Sequence, residues 1–133
     1  MPAIQGILET ALYVDDLSRS SRFYETIFGF SPVAGDGERL IALHITDRQI
    51  LLLFKKRASR DWPHAAHDGD GQLHLAFAIA AEDLAAWEEW LHQHGIAVEE
   101  KKRWERGGWS VYFRDPDGHL LEIATPGVWP RVY

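Results

Sequence analysis

Between Ile7 and Val14 the chain alternates, with Leu8, Leu12 and Val14 on one side and Glu9, Ala11 and Tyr13 on the other. That is the period of a strand with one face buried. Asp15-Asp16 offers an N-cap, and Leu17, Phe23, Tyr24, Ile27 and Phe28 then form an apolar stripe at helical spacing until Gly29, a left-handed stop. Three short strands are expected next, at about 30–34, 39–46 and 49–54, divided by Gly35-Asp36-Gly37 and Asp47-Arg48. The first half therefore reads β-α-β-β-β.

From Lys55 to Gln72 the chain is polar and rich in turn residues, with Trp62-Pro63 and Asp68-Gly69-Asp70-Gly71, and reads as a mobile connection carrying His64 and His67. The order then restarts. Leu73–Ile79 alternates as a strand, Glu82–His94 carries Leu84, Trp87 and Leu91 on one helical face before Gly95, and strands are expected near 96–100, 109–114 and 119–124. Setting Leu17 on Leu84, Phe23 on Trp90 and Gly29 on Gly95 superposes the halves, so internal duplication is the simplest account. The expected fold is α+β: two tandem βαβββ modules, about 5–55 and 73–126, joined by a linker at about 56–72 and followed by a tail, 127–133, within one 133-residue domain.

Composition narrows the chemistry. There is no cysteine, so any metal must be held by nitrogen and oxygen. A formal charge of -6 argues against binding a phosphate backbone, which depends on Lys and Arg displacing counterions. No stretch approaches membrane-spanning length and no basic, apolar leader is present. The expectation is a cytoplasmic protein with a small-molecule partner, binding neither nucleic acid nor membrane.

On the strand that opens the second half, Leu73, Leu75, Phe77 and Ile79 share the face that must cover the helix. His74 therefore looks out of the other face beside Ala76 and Ala78, as Glu9 does beside Ala11. Glu122 stands between Leu120 and Ala124 on the last strand. Asp115-Pro116-Asp117-Gly118 suits a three-residue hairpin loop with a bulge, a register that puts Tyr112 opposite Glu122 and Ser110 further along the same face. Taken singly, a strand carboxylate more often faces solvent and a strand histidine is more often satisfied within the sheet. The joint placement of Glu9, His74 and Glu122, each on a first or last strand and each opposite the helix, favours a metal site.

Glu9-Thr-Ala-Leu-Tyr-Val-Asp-Asp-Leu, Arg22-Phe-Tyr, Phe28-Gly-Phe, His74-Leu-Ala-Phe and Ser110-Val-Tyr-Phe-Arg-Asp-Pro-Asp-Gly-His-Leu-Leu-Glu122 together resemble the vicinal-oxygen-chelate superfamily of glyoxalases, bleomycin-resistance proteins and extradiol dioxygenases. The likeness covers nearly the whole chain, and the Asp-Pro-Asp-Gly hairpin leading to Glu122 is its most specific part. It implies an open, barrel-like cradle with metal ligands at Glu9, His74 and Glu122. It also implies a homodimer in which Glu9 of one subunit joins His74 and Glu122 of the other, an arrangement that the open strand edges of each half favour. Many relatives carry histidine or glutamine at the position of Glu9. Glyoxalase I and the epimerases carry a fourth ligand in the strand read here as Gln49-Ile-Leu-Leu-Leu-Phe54, where Leu51 or a neighbour stands instead.

Two carboxylates and one imidazole neutralise one divalent cation and suit Mn²⁺, Mg²⁺ or Fe²⁺, with Zn²⁺ and Ni²⁺ as alternatives. The leading expectation is an enzyme that chelates a small oxygen-bearing substrate for a lyase, isomerase or transferase step, the metal acting as Lewis acid and a displaced Glu9 taking up a proton. Tyr112 is the other catalytic candidate, and Ser110, Tyr112 and Tyr13 are the substrate-binding candidates. The last-strand motif resembles the fosfomycin-resistance group, in which a thiol or water opens an epoxide, so a thiol co-substrate enters the list of partners. The alternatives are a drug-sequestering protein of bleomycin-resistance type without catalytic metal, and an extradiol-type dioxygenase, one histidine short of the usual Fe(II) triad. His92, His94 and His119 read as structural, while Trp104, Trp109 and Trp129 fit a substrate pocket or a subunit contact equally well.

Overall fold

The computed structural model describes all 133 residues and contains two compact units, Met1–Gly71 and Gln72–Tyr133. In the first, β1 (Glu9–Val14), α1 (Leu17–Phe28), β2 (Ser31–Gly35), β3 (Leu40–Thr46) and β4 (Gln49–Lys55) build a four-stranded mixed sheet in the order β1-β4-β3-β2. In the second, β5 (His74–Ala78), α2 (Leu84–Gln93), β6 (Glu100–Arg103), β7 (Trp109–Arg114) and β8 (Leu120–Ala124) repeat that topology as β5-β8-β7-β6. The fold is α+β, two tandem βαβββ modules whose sheets are not closed into a barrel.

Each sheet buries the face expected from its alternation. Leu12, Val14, Leu51 and Leu53 are buried in the first unit, and Val111, Phe113, Leu121 and Ile123 in the second. The helices seal those faces at equivalent positions, with Tyr24 of α1 and Leu91 of α2 both fully buried. Asp16 caps α1 by accepting from the Arg19 N–H at 2.9 Å, and Gly29 closes it at φ 70°, where only glycine is unstrained. α2 has no side-chain cap and is entered through a single 3-10 turn at Ala81–Asp83, so the helix expected from Glu82 begins at Leu84.

Two segments differ from the sequence reading. The strand expected near 96–100 lies at Glu100–Arg103, because the Ile96 N–H returns to the Leu91 carbonyl at 2.9 Å and the ladder with β7 starts only at Glu100↔Tyr112. This edge strand is entirely charged, which protects it from pairing with another chain and leaves no apolar period to read. The segment expected to be a mobile connection is instead tied down within the first unit. Asp68 accepts from the Arg57 N–H at 2.9 Å and from Arg60 Nε at 3.1 Å, and the His67 N–H donates to the Ser59 carbonyl at 3.2 Å. Arg39 reinforces it by donating to Ser59 Oγ at 3.0 Å and lying 4.3 Å over the Trp62 ring.

Candidate metal centre

The parallel pairing of β5 with β8 sets Ala76 beside Glu122, and the antiparallel pairing of β8 with β7 sets Glu122 opposite Tyr112. Asp115 makes this register by accepting from the Asp117 and His119 N–H groups, each at 2.9 Å, while Gly118 turns the chain at φ 80°. His74 opens β5 on the same face. Its Nε2 lies 3.3 Å from Glu122 Oε2, the histidine half-exposed and the glutamate buried.

The hydrogen bonds decide what that proximity means. His74 Nδ1 lies 2.9 Å from the Leu120 carbonyl oxygen, which can only accept, so Nδ1 carries a proton. In the neutral ring Nε2 is then a lone pair, and it faces a carboxylate oxygen. Two electron-pair donors directed at each other are reconciled by a proton between them or by a metal ion. A hard or borderline divalent cation accepts both donors, so the residues present fit the metal inferred from the sequence.

Glu122 is itself held from behind. Trp104 Nε1–H donates to Ser110 Oγ at 2.8 Å, and the Ser110 hydroxyl donates to Glu122 Oε1 in a short hydrogen bond. Ser110, expected to contact substrate, is fully buried with its hydroxyl bonded to Glu122. Tyr112 is partly exposed beside the pair, its ring 6.3 Å from that of His74. Burial pushes its phenol above the ordinary value, and the Glu122 charge adds to the rise. It stays a neutral donor at physiological pH.

The register of β6 adds a residue that the misplaced strand concealed. Lys102 pairs with Ser110 and thus shares the face of Ser110, Tyr112 and Glu122, with its ammonium 3.9 Å over the Trp104 ring. Trp109 takes the opposite face, flanked by Lys101 and Arg103, and Trp129 is exposed. His94 Nδ1 meets the Trp90 carbonyl at 2.8 Å, a helix-end role, and His119 is fully buried with Nδ1 accepting from the Leu73 N–H at 3.0 Å.

The remaining candidates belong to the first unit. Glu9 is exposed at the start of β1, paired with Ile50, and its face of β4 carries Ile50, Leu52 and Phe54. Leu51 points to the buried side, so the residues on the Glu9 face that stand in place of a fourth ligand are its neighbours, all apolar. Tyr13, expected to touch substrate, has its hydroxyl 2.8 Å from His67 Nδ1 and its ring stacked on Phe54. Gly69 lies so close that an added Cβ would stand 2.4 Å from the Tyr13 ring. No group of three or more metal-ligating side chains forms in the single chain.

A profile of the Glyoxalase/Bleomycin resistance protein/Dioxygenase superfamily matches residues 6–123. The chain belongs to that superfamily. Among its relatives, the metallothiol transferase FosB of Bacillus licheniformis is 35% identical over 97% of this chain and 80% of its own length. The crystal structure of a lactoylglutathione lyase from Agrobacterium tumefaciens superposes with a TM-score of 0.89 at 33% identity, covering 96% of this chain and 98% of that one. The fosfomycin resistance protein FosX of Mesorhizobium loti superposes at 0.67 with 25% identity, over 95% and 96% of the two chains. Such relatives place the chain among the enzymes of the superfamily, of transferase or lyase type.

Proposed function

We propose that this protein is a divalent-metal-dependent transferase that adds a thiol to a small, oxygen-bearing, anionic electrophile. The observation that carries the reading is the facing of His74 Nε2 and Glu122 Oε2 at 3.3 Å, with Nδ1 committed to the Leu120 carbonyl. His74 and Glu122 supply two ligands, and Glu9 of a second subunit supplies the third. The bound metal supplies Lewis acidity at a substrate oxygen, and Mn²⁺ or Fe²⁺ suits a donor set of two carboxylates and one imidazole. Tyr112 donates a hydrogen bond to the oxygen on which charge develops, and Lys102 binds the anionic group of the substrate. The transferase name of the B. licheniformis relative and the fosfomycin resistance of the M. loti structure favour a thiol acceptor of epoxide type. The lyase reading is weakened by the apolar Ile50, Leu52 and Phe54 on the Glu9 face of β4. The proposed compartment is the cytoplasm, where small thiols are kept reduced.

Metal-free protein titrated with Mn²⁺, Fe²⁺, Ni²⁺ and Zn²⁺ is expected to bind one ion per chain. The loaded enzyme, given fosfomycin with glutathione, cysteine or another low-molecular-weight thiol, is expected to yield the thiol adduct. Uptake of none of these metals would leave drug sequestration as the reading. Metal uptake with no adduct from any thiol, and turnover with water alone, would move the chemistry to hydrolysis.

A further inference from the structure

Behind the metal-facing carboxylate runs a chain of three side chains whose hydrogen-bond direction is forced by chemistry. An indole N–H can only donate, so Trp104 Nε1 gives its proton to Ser110 Oγ at 2.8 Å. A hydroxyl has one proton and an ionised carboxylate can only accept, so Ser110 gives its proton to Glu122 Oε1. Oε1 is thereby engaged and Oε2 is the oxygen left facing His74. Ser110 is wholly buried and Glu122 nearly so.

We propose that Trp104 and Ser110 are positioning residues that aim Glu122 Oε2 at the metal, Trp104 acting from the loop after β6 without touching metal or substrate. The inference rests on the metal reading above. A carboxylate with two equivalent oxygens can rotate to present either one, or both at once. Tying Oε1 to a donor that is itself polarised by the indole removes that freedom. Partners of this outer kind typically change metal affinity by about 10- to 100-fold when removed.

Three comparisons test the assignment. Ser110→Thr and Ser110→Val place the same shape in the strand and differ only by the hydroxyl, so packing is common to both. Calorimetric titration with Mn²⁺ should show Ser110→Thr near wild type and Ser110→Val weaker by about tenfold or more. Trp104→Phe, which removes the N–H but keeps an aromatic ring, should weaken Mn²⁺ binding in the same direction. In ¹H–¹⁵N spectra of metal-free protein, the Trp104 indole resonance, assigned by its loss in Trp104→Phe, should move in Glu122→Gln and on adding Zn²⁺ to the wild type. Equal affinities for Ser110→Thr and Ser110→Val, or an indole resonance indifferent to Glu122→Gln, would overturn the relay while leaving the metal site standing. Absence of any metal binding by wild type would overturn the metal reading and this assignment with it.

Discussion

The backbone N–H of Leu73 donates to Nδ1 of the buried His119 at 3.0 Å, joining the entry of β5 to the turn that starts β8. Because Nδ1 accepts, the ring proton sits on Nε2, and the bond fixes the backbone immediately before His74. The adjacent ladder bond, Leu120 N–H to the Leu73 carbonyl at 2.8 Å, completes the clamp. The histidine of the Asp-Pro-Asp-Gly-His run therefore sets the position of a proposed ligand on a neighbouring strand rather than ligating.

Replacing His119 by Leu should leave that N–H without a partner and cost about 1–3 kcal/mol of stability. Metal affinity should fall too, as His74 loses its fixed origin. His119→Asn keeps an acceptor near the Nδ1 position and should recover most of both losses. Urea denaturation and Mn²⁺ titration measure the two effects; an unchanged midpoint in His119→Leu would refute the clamp.

The Tyr13 phenol gives a prediction in alkali. Burial raises its pKa first, and the Asp68 charge adds to the rise. Asp68 is kept ionised because its carboxyl is held low, chiefly by the Arg57 N–H. A raised phenol means that the unfolded chain releases this proton before the folded one does. Its contribution to stability is thus intact below the usual phenol range near 10 and is lost as the pH rises through and above it. The difference between the 295 nm titrations of wild type and Tyr13→Phe should show a midpoint above that range, and Asp68→Asn should lower it only in part. A midpoint at or below about 10 would contradict this account.

Lys102 should act on substrate binding rather than on folding. Its ammonium shares the face of Tyr112 and Glu122 and rests on the Trp104 ring at 3.9 Å. Lys102→Met keeps the stem and removes the charge, so KM for an anionic substrate should rise about tenfold or more, with a smaller change in kcat. A hydrogen bond to a charged group is worth about 1.5–3 kcal/mol, which sets that scale. Steady-state kinetics at low and moderate salt decide it, and an unchanged KM would remove Lys102 from the site.

The duplicated modules and the pairing of Tyr112 with Glu122 were legible in the sequence because turn chemistry and strand period fix register locally. Asp115 and Gly118 leave the hairpin one solution, and the register carries Ser110 and Glu122 to a common face. Lys102 and the role of Trp104 were not legible, for a physical reason. β6 is an edge strand of Glu100, Lys101, Lys102 and Arg103, and its pairing is dictated by β7 rather than by any pattern of its own, whereas the apolar Ile96-Ala-Val98 just before it imitates a strand. The engagement of Ser110 and Tyr13 was equally hidden. Both are polar residues on the expected face, but their partners, Trp104 and His67, come from loops that no periodicity describes.

Glu9 is exposed at the head of β1 in the first unit, while His74 and Glu122 face each other in the second. A two-fold dimer in which the first module of each subunit faces the second module of its partner would give each of two equivalent sites one Glu9 from one subunit and the His74–Glu122 pair from its partner. Glu9→Gln and His74→Ala proteins should then each bind metal weakly on their own while remaining folded, since both side chains lie outside the core. After subunit exchange, a heterodimer contains one site with both lesions and one intact site. Random mixing makes about half of the dimers heterodimers, so about a quarter of the wild-type number of tight Mn²⁺ sites should return. Titration before and after exchange measures this directly. A monomer by analytical ultracentrifugation at micromolar concentration, or no tight sites after exchange, would exclude the shared arrangement and require all of the ligands to come from one chain.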